Sequence, residues 1–252
     1  MRQIIINIRK VLFFAMLLLG LVSCNKEKEF TKAIDIQISG YNIGNAELEV
    51  SIDEVAYDKF KIQPNSLVNF GKVHTYPSHQ NQASLKVKDI ISGKEVFHQQ
   101  LSLNNNELEV FFPLVLINGS LLEIKPPASE PSTNRMAFYI YYPESNDAID
   151  IFLKDKDGKI SYLAKNVQPS KWGYVDYLTA EEFNDPQNTL RLHFTKSGTT
   201  DQWAFKDSEQ MSKSPVGTLL LPGFAEKGRV CTYFVTPGSN QLDVVRLFKG
   251  AK

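Results

Sequence analysis

Four histidines, two cysteines and 28 carboxylates are the residues of this 252-residue chain that could carry polar or nucleophilic chemistry. Their spacing excludes most of it. "DKDGK" puts Asp155, Asp157 and Gly158 at positions 3, 5 and 6 of a calcium loop, but Leu153 and Ala164 would then fill positions 1 and 12. Hard oxygen ligands are missing there, and the stretch reads as a hairpin turn. His74 and His79 lie five apart in "HTYPSH", while His98 and His193 fall on other strands. Zinc needs three or four converging ligands, so no metal site is expected. Cys231, in the alternating run "RVCTYFV", reads as a small core residue. Paired carboxylates could cleave a glycosidic bond. Asp35, Asp53, Asp147, Asp150, Asp176, Glu181 and Glu182 are available, yet a β protein carries acids at this density on its solvated faces. No nucleophile elbow, phosphate loop or dinucleotide fingerprint occurs. The sequence predicts no enzyme and no cofactor.

Aromatic residues carry the stronger signal. "FYIYYP", "KWGYVDYL" and "DQWAFKD" concentrate Tyr139, Tyr141, Tyr142, Trp172, Tyr174, Tyr177 and Trp203 in the second half. Such rings either fill a core or, beside Asp and Asn, stack on sugar rings in a binding site. Strand alternation in "WGYVDY" puts Trp172, Tyr174 and Asp176 on one face, and the acid marks that face as the wetter one. Trp172, Tyr174, Asp176 and Trp203 are therefore the candidate ligand-binding residues, with a glycan as the ligand class.

The elements that position these groups begin with the N-terminus. Arg2, Arg9 and Lys10 precede an apolar run of 12 residues, Val11 to Val22. That is the layout of a secretory signal. A membrane span needs roughly 20 apolar residues. Extending the run back to Ile4 would place Arg9 and Lys10 mid-span, at about 2.5–3.5 kcal/mol each. The run ends in "LVSC", which resembles the bacterial lipobox: an apolar residue three before the Cys, a small one just before it, then Cys24. The resemblance implies that the Cys24 thiol receives a diacylglycerol and that cleavage makes Cys24 the first mature residue. A further acyl group then gives stable attachment, since each buried CH₂ adds about 0.8 kcal/mol and one chain alone is marginal. The tether "NKEKEF" is similar to the export signals of surface lipoproteins in Bacteroidetes-type envelopes. It implies an outer-membrane lipoprotein facing the periplasm or the cell surface.

Loss of Arg2, Arg9 and Lys10 from 28 basic residues leaves 25 against 28 acidic ones. That balance offers no footprint for nucleic acid. An apolar content of 42%, with 16 Phe and 10 Tyr, supports packed cores. Helical periodicity is nearly absent. Period-two runs separated by Gly, Pro, Asn and Asp recur throughout: "AIDIQIS", "ELEVSID", "SLKVKDI" with "KEVFHQQLSL" as a hairpin, and "ELEVFFPLVL". "KPPASEPSTN" breaks the series, with "SLLEIKP" read as a lead-in strand to the second set. That set runs through "MAFYIYYP", apolar on both faces and so central, a hairpin over 147–167, "WGYVDYL", "NTLRLHFTK", "DQWAFKD", "VGTLLLPG", "RVCTYFVTPG" and "QLDVVRLF". "TAEEFNDP" predicts one helical turn capped by Thr179.

The expected architecture is all-β: two antiparallel β-sandwich (immunoglobulin-like) domains after a lipoprotein signal peptide. Its boundaries are signal peptide 1–23, lipidated tether 24–32, first sandwich 33–118 and second sandwich 119–252. This plan resembles the two-domain β lipoproteins of Bacteroidetes-type envelopes. The aromatic residues of the second domain and the lipobox together point to a non-catalytic binding role, with membrane attachment through Cys24 and a glycan or an envelope protein as partner. The runner-up is an assembly subunit that binds another protein by a strand edge, and a hydrolase ranks third.

Overall fold

The computed structural model describes residues 30–104, 107–155, 157–187, 189–218 and 221–248. Cys24, the signal segment and the tether up to Glu29 lie outside the described residues. The described residues divide into two compact units, one within 33–74 and 81–248 and the other within 30–32 and 75–80. In the smaller unit, Ser78 N donates to the Phe30 carbonyl oxygen at 2.8 Å.

The period-two runs of the first half become β1 (Thr31–Ile43), β2 (Leu48–Ile52), β3 (Val55–Ala56), β4 (Ser66–Pro77), β5 (Gln82–Asp89), β6 (Glu95–Ser102), β7 (Glu109–Ile117) and β8 (Ser120–Leu121). They form two four-stranded sheets, A in the order β4-β1-β7-β8 and B in the order β3-β2-β5-β6. Alternation buries one face of each: Ile34, Ile36 and Ile38 on β1, Leu48, Val50 and Ile52 on β2, Leu85 and Val87 on β5. The sheets meet where Phe97 of β6 and Phe112 of β7 bring their rings within 6.0 Å.

The second half supplies β9 (Asn134–Ile140), β10 (Ile149–Lys154), β11 (Ile160–Val167), β12 (Trp172–Tyr177), β13 (Leu192–Lys196), β14 (Val230–Pro237) and β15 (Leu242–Arg246). Sheet C runs β12-β9-β14-β15 and sheet D runs β11-β10-β13. Met136, Phe138, Ile140, Cys231, Tyr233 and Val235 of sheet C pack on Ile149, Ile151, Leu153, Leu192 and Phe194 of sheet D. Burial pushes the Cys231 thiol up, which keeps it an inert core group. The protein is all-β; among the described residues the remaining helices are two single 3₁₀ turns, Asp58–Phe60 and Glu181–Phe183. No helix among them is long and apolar enough to cross a membrane.

Four local readings are corrected. Antiparallel pairing is not universal: β1 pairs with β7, and β9 with β14, in parallel. A parallel neighbour needs a crossover of a dozen or more residues, which the intervening strands supply. Ser120 and Leu121 of "SLLEIKP" pair with β7 rather than leading into the second set. Thr179 does not cap the 181–183 turn; its hydroxyl points at the Phe183 carbonyl oxygen, 3.3 Å away. "DQWAFKD" and the described part of "VGTLLLPG" are not strands. Lys206 and Asp207 take φ values of 53° and 47°, and two consecutive left-handed residues end an extended run.

The C-terminal ends of β1 and β7 are buried on both faces, as are β9 and β14. Tyr41, Ile43 and Val115 of sheet A form a second core with Tyr139, Phe234 and Val245 of sheet C, and with Leu247 beyond it. Phe234 stacks on Tyr139 with centroids 6.0 Å apart and lies 5.6 Å from Tyr41. The Tyr41 hydroxyl donates to Asp243 Oδ2 at 2.8 Å, joining the first strand to the last. Gly40 lets β1 come this close to β7. A Cβ there would sit 1.8 Å from the Leu114 carbonyl oxygen.

Candidate functional site

Alternation along β12 places Trp172, Tyr174 and Asp176 on one face of sheet C, away from sheet D. Trp172 is half-buried, while Tyr174 and Asp176 are exposed. The chain itself covers part of this platform. Trp172 pairs across the strands with Tyr139, ring centroids 5.2 Å apart. Its indole Nε1 donates to the Glu123 carbonyl oxygen at 3.2 Å, and the Tyr174 hydroxyl donates to the Lys125 carbonyl oxygen at 3.1 Å. Leu122 and Ile124 pack into the same Tyr41–Phe234 core. The rings therefore hold down the segment that connects the two sheet pairs. Asp176 faces Arg135, its Oδ1 lying 3.3 Å from Nε.

Trp203 is not with them. It bridges Thr195 of β13, on the sheet D side. The outward residues of sheet D form a row of rings set by register. Phe152 faces Tyr162 across β11 and His193 across β13. Phe152 lies edge-on to Tyr162 at 5.5 Å and stacks on His193 at 5.1 Å; His193 lies 6.1 Å from Trp203. Lysines stand at both ends, Lys165 Nζ 4.0 Å from the Tyr162 ring centre and Lys213 Nζ 5.1 Å from that of Trp203. Cation–π contacts of this kind contribute about 0.5–2 kcal/mol. Phe152 is sealed beneath its neighbours, whereas Tyr162 is exposed and Trp203 half-buried.

At the Trp203 end the row opens into a trough of about 480 Å³, lined by Lys154, Asp155, His193, Thr200, Asp201, Trp203, Glu209 and Lys213. Burial, with Lys213 and Lys154 adding, pushes His193 down to about 4, so its imidazole is neutral near pH 7. A neutral ring offers one donor and one acceptor. Lys213 pairs with Glu209 and holds that carboxyl below its usual range. The trough is anchored by the turns around it. Asp155 Oδ1 accepts from Asp157 N at 2.9 Å and Lys159 N at 2.8 Å, which closes the β10–β11 hairpin at Gly158. The buried carboxylate of Asp150 accepts from Asn166 N, the Ser197 hydroxyl and Gly198 N at 2.9–3.0 Å. These bonds hold the Asp150 carboxyl below its ordinary value despite burial, and tie β11 to the turn after β13.

The arrangement can bind hydroxyls: carboxylates accept from them, ammonium groups donate to them, and rings cover apolar sugar faces. An imidazole with a pKa near 4 is a weak base. Among the described residues, no group of three or more His, Cys, Asp or Glu side chains could hold a metal ion. Lys154, Arg191 and Lys213 escaped the sequence reading, and His193 was weighed there only as a metal ligand. Arg191 and His193 alternate with buried Leu192 and Phe194 in "RLHF", and Lys154 follows buried Leu153, whereas Lys213 lies in a turn with no such pattern. No protein-family model matches the chain, and no curated protein matches it.

Proposed function

We propose that this is a lipid-anchored protein of the outer envelope with a non-catalytic binding role, and that it holds a glycan at the Trp203 trough. The supporting observation is the trough itself, where a half-buried indole and a neutral imidazole lie among three carboxylates and two lysines. Pockets that bury small ligands combine apolar and aromatic walls with a few placed polar groups in this way. The lipid anchor is carried by the "LVSC" motif and Cys24. Cys24→Ala is expected to release the protein from the membrane fraction, and persistent anchoring of that variant would remove the lipoprotein reading.

The glycan reading is tested by thermal unfolding of the full-length chain in detergent against a glycan panel. A ligand at 100 times its Kd adds about 2.7 kcal/mol to the folded state. The shift should disappear in Trp203→Ala and persist in Trp172→Ala. A panel without any shift would discard it.

A second reading, assembly with another protein, is favoured by the edge of sheet A. β4 is a 12-residue edge strand, with Leu67 and Val73 exposed. Natural edges are usually blunted. On β7, Leu108 O accepts from β1 and Val115 O accepts from Leu122, so the alternation turns Pro113 toward the β8 side, where its missing N–H denies a bond to an incoming strand. β4 has no proline before Pro77. Capture of an envelope protein that Val73→Pro abolishes would move the function to this edge.

A further inference from the structure

The trough does not end at Trp203. A second hollow of about 500 Å³ adjoins it, lined by Arg191, Gln210, Pro215, Val216 and Gln241. Glu209 and Lys213 line both hollows, so their ion pair is the shared wall. Glu209 is 61% exposed and Lys213 21%. The carboxylate is the open partner, so ligand hydroxyls could share its hydrogen bonds. Each hollow alone falls in the range of roughly 300–1,000 Å³ that houses a whole small ligand. A single sugar ring would leave most of the combined space wet.

The lining as a whole carries no net charge. Lys154, Arg191 and Lys213 are balanced by Asp155, Asp201 and Glu209. No net field selects an acidic or a basic ligand. At the far end, the guanidinium of Arg191 and the amides of Gln210 and Gln241 suit adjacent hydroxyls. Half-exposed Val216 and Pro215 give an apolar surface for a ring face.

We propose that the two hollows form one cleft for a linear, uncharged oligosaccharide, running from Trp203 past Glu209 and Lys213 to Arg191, Gln241 and Val216. This rests on the glycan reading above and adds length and charge to it. The test is calorimetric titration of the full-length protein in detergent with neutral gluco-oligosaccharides of one, two and six rings, α- and β-linked, and with a six-ring uronic-acid oligomer. Affinity for one neutral series should rise about tenfold or more from two rings to six. That ratio should collapse toward one in Arg191→Ala/Gln241→Ala, with thermal unfolding confirming the variant's fold. A flat length dependence, an unchanged ratio in the double variant, or tighter binding of the uronic oligomer overturns the proposal, even if binding that depends on Trp203 stands. Absence of binding by every sugar overturns the glycan reading and the cleft with it.

Discussion

Trp172 and Trp203 lie on the outward sides of two sheets that share one core, and the two sides are used differently. Around Trp172, the outer side of sheet C is taken by the chain: Tyr139 and Phe234 pack with Tyr41, and the Glu123 and Lys125 carbonyls are bonded to Trp172 and Tyr174. Around Trp203, the outer side of sheet D carries a ring row that opens into a charged trough. Two tryptophans in similar local sequence thus do different work. One stabilises the junction of the sheet pairs. The other lines open space. An aromatic cluster marks a ligand platform only where no distant segment of the same chain already covers it.

The difference can be broken at its strongest point. Phe234→Ala removes the ring that contacts both Tyr139 and Tyr41. It should cost about 3–5 kcal/mol in urea unfolding while leaving the trough's residues in place. A loss under 1 kcal/mol would mean that the sheet A–sheet C core contributes little.

Acid sharpens the contrast next. Unfolded histidine titrates near 6.5 and folded His193 near 4. Between those values the unfolded chain binds the extra proton. Stability from His193 is therefore full above about pH 6.5 and is lost as the pH falls to 4, by about 3 kcal/mol. Asp150 acts in a lower window. Its depressed carboxyl contributes fully above its ordinary 3.8 and loses that contribution as the pH falls through its folded value. Urea midpoints at pH 7 and 4.5 should differ far more for the parent protein than for His193→Gln. Equal pH dependence in the two would show that the trough histidine is not held neutral.

The smallest effect concerns Trp172. Its half-buried ring, its contact with Tyr139 and its bond to Glu123 should make Trp172→Ala cost about 2 kcal/mol. Under the glycan binding proposed for the Trp203 trough, affinity should stay within twofold of the parent value. A large affinity loss with unchanged stability would return the binding site to sheet C.

Much of the architecture was legible locally. "AIDIQIS" and "ELEVSID" bury alternate residues because a half-covered strand shows its period in the sequence. "MAFYIYYP" was readable as central because β9 is covered by sheet D on one side and by the Tyr41 core on the other. Strand direction was not legible: side-chain alternation is the same beside a parallel or an antiparallel neighbour, so the β1–β7 and β9–β14 pairings left no local trace. The site was half legible. Trp203 stood out by type. Its meeting with His193 and Lys213 was not legible, because the bridge between those two joins strand to loop across 20 residues of chain.

The sequence alone determined the strand-rich composition, the polar turns, the wetter face of "WGYVDY" and the lipobox-like "LVSC", since each depends only on neighbouring residues. Tertiary structure decided which aromatic face was covered and which charged residues met in a cleft. Those outcomes depend on contacts between residues far apart in the chain, such as Trp172 with Glu123 and Tyr41 with Asp243. No local period records such contacts.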